Sequence, residues 1–157
     1  MAAPFVYDQT FAFDVCANTL WNAVTDTGRY QQWWPWLVGF DLSALVTGER
    51  AWCEIQAPLP YRLRFEVDLQ KVTAPRTIQG HVVGDIEGPA AFTVTPDGAG
   101  SRAQLAWELR VTRRLLAGLA TIARPALLWG HDYIVEVGLR QFVTRALDNG
   151  APTSQAM

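Results

Sequence analysis

From Val38 to Val111 the chain keeps a two-residue hydrophobic period broken only by short runs rich in Gly, Pro and Asp, and this constrains the fold more than any other feature. Side chains that alternate along a strand point to opposite faces of a sheet. Strands joined by such short turns are antiparallel neighbours, because a parallel return needs a crossover of roughly a dozen residues. Val38, Phe40 and Leu42 alternate, Gly48 turns the chain, and Ala51, Cys53 and Ile55 follow. Beyond the Pro58, Leu59, Pro60 loop, Leu63, Phe65, Val67 and Leu69 interleave with Arg62, Arg64, Glu66 and Asp68. Pro75 marks the next turn, and Ile78, Gly80, Val82, Gly84 and Ile86 share one face of a further strand. Gly88 and Pro89 break it before Phe92 and Val94, and Asp97, Gly98 and Gly100 make a hairpin into Leu105, Trp107, Leu109 and Val111. The pattern predicts a curved antiparallel meander.

The flanks differ. Phe5, Tyr7, Phe11 and Phe13 occupy odd positions of a first strand, with Gln9 the polar exception on that oily face. Leu20, Trp21 and Val24 have helical spacing over about Asn18–Val24, and Asp26 is placed to cap a second short helix carrying Tyr30, Trp33 and Trp34. Trp33, Trp34, Pro35 and Trp36 then form a corner. Each indole buries roughly 150–250 Å² when packed, and Pro35 forbids a continuing helix and pushes Trp34 towards an extended conformation. At the other end, a helical segment from Leu115 to Arg124 precedes Pro125, and a longer helix covers about Ala126 to Leu147, with apolar residues on more than one stripe. Asn149 and Gly150 end it. A long helix laid across a bent sheet cannot touch it everywhere, so a gap is expected between them.

With 157 residues, one domain over 1–150 and a disordered tail over 151–157 are expected. Half the residues are hydrophobic, 18% are charged and the net charge is −2, which excludes a disordered chain. Arg113 and Arg114 are adjacent, but no basic run tracks phosphates, so no nucleic-acid partner is expected. Neither a secretory leader nor an apolar run of about 20 residues is found, so stable membrane insertion is not expected and a cytoplasmic location is. Cys16 and Cys53 lie far apart without metal-like spacing and read as reduced thiols; neither metal nor cofactor is called for.

The order of elements, the segment from Leu20 to Asp26, the Trp33 to Trp36 run, the stretch from Gly84 to Gly88 and the helix start Trp129, Gly130, His131, Asp132, Tyr133 resemble the START-like (SRPBCC) superfamily, within it the polyketide cyclase/dehydrase-like group of small bacterial proteins. The resemblance covers Phe5 to about Leu147. Members often carry a Pro shortly before the first helix's Trp, where this chain has Cys16, Ala17 and Asn18. The resemblance implies an α+β helix-grip fold: a bent seven-stranded antiparallel sheet around a long C-terminal helix, two short helices after the first strand, and a hydrophobic tunnel between sheet and helix.

Against that tunnel, His131 is one helical turn from Val135 and two from Gly138, and it is a candidate acid or base if it points inward; otherwise it is a helix-end imidazole bonded to backbone or water. Tyr61 is its candidate partner, and Tyr61 and Gln9 are the polar groups expected near the tunnel. Asp132 and Glu136 share a helix face, but Glu136 and Arg140 have the favourable pairing distance. Gly80 and Gly84 either give a guest room at the sheet or relieve strand bending. Asp85 and Glu87 read as solvated charges, and His81 as outward-facing. Phe65, Trp107, Trp129, Ile134 and Gly138 complete the expected lining.

Two functions fit. One is binding of a hydrophobic or aromatic small molecule, lipid included; the other is a polyketide cyclase or aromatase that promotes aldol closure and dehydration through His131 with Tyr61 or an acid. A third use, homodimerisation, attaches to the apolar segment from Leu115 to Leu128.

Overall fold

The computed structural model describes residues 4–42, 44–56, 62–112 and 124–148. Strand β1 (Phe5–Phe13) is followed by helix α1 (Ala17–Val24), a 3-10 turn (Thr27–Arg29) that runs into α2 (Tyr30–Trp33), and strands β2 (Leu37–Asp41), β3 (Arg50–Gln56), β4 (Arg62–Thr73), β5 (Thr77–Gly84), β6 (Ile86–Asp97) and β7 (Gly100–Val111). Helix α3 (Arg124–Phe142) continues as a π-helical turn over Val143–Asp148. All seven strands form one antiparallel sheet in the order β1-β7-β6-β5-β4-β3-β2. This is the α+β helix-grip architecture expected from the sequence. The first strand pairs with the last, Tyr7 opposite Trp107 and Gln9 opposite Leu105, so β1 forms the edge beside β7 while β2 forms the opposite edge.

Register places Tyr7, Trp107, Ala90, Gly80 and Leu69 in one row, and Gln9, Leu105, Phe92 and Ile78 in the next. These rows face α3. Two details differ from the alternation read off the sequence. A bulge between Leu37 and Gly39 places Leu37, not Val38, on the inner face: Leu37 is buried and Val38 is exposed. The other difference concerns the strand read as continuous through Ile86, which ends at Gly84, while Gly88 and Pro89 lie inside β6. Asp85 makes the corner. Its carboxylate accepts the Arg64 amide at 2.9 Å, its own amide donates to the Arg64 carbonyl at 2.9 Å, and its carbonyl accepts from the Thr112 amide at 2.9 Å. The residue read as a solvated charge is therefore a bracket that joins β4 to the chain beyond β7.

Glycine is required at this corner. Gly84 and Gly88 have φ of 140° and 146°, and a Cβ on Gly88 would lie 1.9 Å from the Glu108 carbonyl oxygen. Gly80 is also pressed close, its would-be Cβ 2.9 Å from Val67 Cγ1. Of the two uses offered for Gly80 and Gly84, close backbone approach in a bending sheet is the one the geometry supports.

Two clusters of the core bear on the site. Leu20, Trp21, Trp33, Val94, Ala103, Phe142, Ala146 and Leu147 form one, and Leu37, Ala51 and Cys53 the other, with Tyr30 and Trp34 packed against both. The Trp corner joins sheet to helix through specific bonds: Trp34 Nε1 donates to the Gly138 carbonyl at 2.9 Å, Trp36 Nε1 to Gln141 Oε1 at 2.8 Å, and Arg145 Nη1 to the Trp33 carbonyl at 2.7 Å. Residues 138, 141 and 145 recur at helical spacing and so lie on one face of the C-terminal helix. Tyr61, most of the Leu115–Leu128 segment and the 151–157 tail lie outside the described residues.

Candidate functional site

Between the concave face of the sheet and α3 lies a cavity of about 390 Å³. Its floor comes from the inner rows of the sheet, including Phe11, Phe13, Ile78, Phe92, Leu105 and Trp107. Leu20 and Val24 of α1 and the rings of Tyr30, Trp34 and Trp36 close one end, and Ile134, Val135, Gly138, Leu139 and Phe142 form the roof. Pockets of this kind commonly measure roughly 300–1,000 Å³. At the packing density of protein interiors, the volume suits a guest of roughly 15–20 non-hydrogen atoms.

Among the described residues, the polar side-chain atoms of that wall are already bonded. Tyr30 Oη donates to the Val24 carbonyl, Trp34 and Trp36 to α3 as described, and Trp107 Nε1 to His131 Nε2 at 3.0 Å. Burial pushes the Tyr30 phenol well above its ordinary pKa, with electrostatic repulsion from neighbouring Cys53 and Asp26 adding to it, so it stays protonated. Gly138 has a special role here. A Cβ would lie 3.0 Å from Trp36 Cζ2, so the missing side chain lets the two indoles lie against the helix.

His131 sits beside the cavity, not in its lining. Its ring lies between Phe5 at 6.1 Å, Tyr7 at 5.5 Å and Trp107 at 5.6 Å, centroid to centroid. Because Trp107 donates to Nε2, the ring proton is on Nδ1, which donates to Asp132 Oδ1 at 3.0 Å. Both ring nitrogens are thus engaged. Glu136 pairs with Arg140 at 3.4 Å, the helical ion pair expected from their spacing. Tyr7 has its phenol pushed up by burial and by the Asp132 charge.

Of the remaining candidates, Trp107, Ile134 and Gly138 line the cavity. Gln9 lines an adjoining gap between β1 and α3. Phe65 packs with the second core part, and Gly80 and Gly84 contact neighbouring strands. Trp129 is 54% exposed and packs on Tyr133 at 5.6 Å. It lies two residues before His131, about 200° round the helix from the stripe through His131, Val135, Gly138 and Phe142, and so faces away. Trp34 and Trp36, expected only as a corner, and Phe11, Phe92 and Tyr30 also line the cavity without having been among its expected residues. The signal for Phe11 was its place on the face of Gln9. Among the described residues no cluster of three or more His, Cys, Asp or Glu is arranged to hold a metal, and no helix is long and apolar enough to cross a membrane.

No protein-family model and no curated protein matches the chain. Solved structures do. The protein TTHA0849 from Thermus thermophilus superposes with a TM-score of 0.76 at 12% identity, covering 92% of this chain and 99% of its own. The ZhuI aromatase/cyclase from Streptomyces sp. R1128 gives 0.74 at 12% identity, with 92% and 94% covered. The Polyketide_cyc-like protein Cgl2372 from Corynebacterium glutamicum gives 0.50 at 15% identity, with 91% and 83% covered. At these identities the likeness is one of fold, and it agrees with the START-like (SRPBCC) resemblance of the sequence.

Proposed function

We propose that the protein binds a hydrophobic or aromatic small molecule in the cavity beneath α3, in the cytoplasm. The observation that carries this is an apolar hollow of about 390 Å³ whose polar wall groups are already bonded to the protein. Such a wall recognises a guest by shape and desolvation, worth roughly 25 cal/mol per Å² of apolar surface covered. The alternative, a cyclase or aromatase acting in the same cavity, needs a free acid or base facing the guest. It draws support from the fold shared with an aromatase/cyclase, but His131 already has a partner on each ring nitrogen.

Native mass spectrometry of protein purified from its own host tests the binding function. A stoichiometric apolar compound, lost when Leu105→Trp fills the cavity, is the expected result. A chain free of such a compound that also takes up no apolar probe would refute it. Turnover of a polyketone lost in His131→Ala would favour catalysis instead.

A further inference from the structure

Among the described residues, the polar side chains of the cavity wall are already bonded to the protein, which directs attention to the polar groups next to the cavity for any polar end that a guest carries. The adjoining gap between β1 and α3, about 280 Å³, shares Phe11, Val135 and Leu139 with the cavity and adds the polar side chains of Tyr7, Gln9, Asp132 and Glu136. Those three apolar side chains border both spaces, the oily chamber and the rim beside it.

The rim has a sign. The side chains of Asp132 and Glu136 are 71% and 76% exposed, so both carboxylates are hydrated and available. Asp132 is bonded to His131 Nδ1 at 3.0 Å and has no Lys or Arg partner among the described residues. Glu136 faces Arg140, itself 68% exposed, at 3.4 Å, a pairing that only partly offsets it. An anionic head placed here meets two carboxylates and one guanidinium. A hydroxyl or ammonium donor meets acceptors.

Resting on the binding function proposed above, we infer that the guest is amphipathic: an apolar body in the chamber and a neutral or cationic hydrogen-bond-donating end at the Gln9, Asp132 and Glu136 rim, with carboxylic acids and phosphate esters disfavoured.

The test uses the full chain loaded with the uncharged fluorophore N-phenyl-1-naphthylamine, displaced at neutral pH and low salt by decylamine, 1-decanol or decanoate. The three share one tail and differ in the charge of the head. Decylamine should displace best and decanoate at least about fivefold less well than decylamine. In the Asp132→Asn, Glu136→Gln double variant, whose exposed sites tolerate the change, that difference should fall below about twofold. Decanoate matching or beating decylamine on the native chain overturns the inference, as does a ranking unchanged in the double variant. Failure of the naphthylamine itself to bind saturably would refute the cavity function, and this inference with it.

Discussion

Replacing Trp34 by Phe separates the two jobs of the Trp corner. The indole N–H holds the Gly138 carbonyl at 2.9 Å, and the ring packs on Tyr30, Trp33, Trp36 and Phe142 at centroid distances of 4.9, 5.6, 5.6 and 6.4 Å. Phe keeps most of the ring contacts and loses the donor. A neutral, part-buried hydrogen bond contributes about 1 kcal/mol, and the smaller ring covers roughly 40 Å² less apolar surface, worth about 1 kcal/mol more. The total is about 2 kcal/mol, a fall in Tm of roughly 4–8 °C for a chain of this size. Trp129→Phe is the internal control. Its ring touches only Tyr133 among the described aromatic pairs and is half in water, so it should cost less than about 0.5 kcal/mol. Urea unfolding followed by far-ultraviolet circular dichroism reads both, free of the loss of fluorescence. Equal midpoints for the two variants would refute the idea that the indole ties helix to sheet.

Gly88→Ala places a methyl group 1.9 Å from a backbone carbonyl at φ 146°, and should cost at least about 3 kcal/mol or abolish soluble expression, as judged by thermal melting. Cys53 is buried, with its thiol pushed up to about 12, whereas Cys16 is exposed, its pKa lowered by a hydrogen bond from Thr19. Iodoacetamide at pH 8 should therefore add one group, at Cys16, to the folded chain and two after denaturation, read by peptide mass spectrometry; early modification of Cys53 would refute its burial. A raised folded-state pKa means that the unfolded chain binds fewer protons between its own thiol pKa of about 8.5 and the folded value. Stability should accordingly be full below that window and decline as pH rises through it, with a shallower decline in Cys53→Ala. A monomer at high concentration in size-exclusion chromatography with light scattering would remove the dimerisation assigned to the Leu115–Leu128 segment.

Much of the fold was legible because period-two alternation over β3 to β7 reports both strand and face, and short turns leave antiparallel pairing as the sole option. Alternation is blind to insertions. The bulge at Leu37–Gly39 puts Leu37 in the core in place of Val38 while Phe40 and Leu42 keep the expected face, and the corner at Gly84–Asp85 depends on positive φ and a carboxylate-to-backbone bond with no periodic signature. The site was legible only in part. Gly138 was singled out because it lies two turns from His131, but the partner that needs its missing side chain, Trp36, is a hundred residues earlier in sequence. Trp129 illustrates the converse: its position at the helix start suggested the cavity mouth, while its angle on α3 directs it outward. Local sequence carries such an angle only relative to a stripe, and α3 is apolar on more than one side.

The central claim, an apolar chamber walled by particular indoles, is most directly tested by the indole N–H resonances of the seven tryptophans in a nitrogen-15 correlation spectrum as N-phenyl-1-naphthylamine is added. Trp34, Trp36 and Trp107 line the chamber, whereas Trp52 and Trp129 are exposed on outer surfaces. The expected result is saturable movement of the first three at one equivalent of probe, with the last two unmoved. Movement confined to Trp52 and Trp129, or no saturable movement at all, would contradict a chamber beneath the terminal helix.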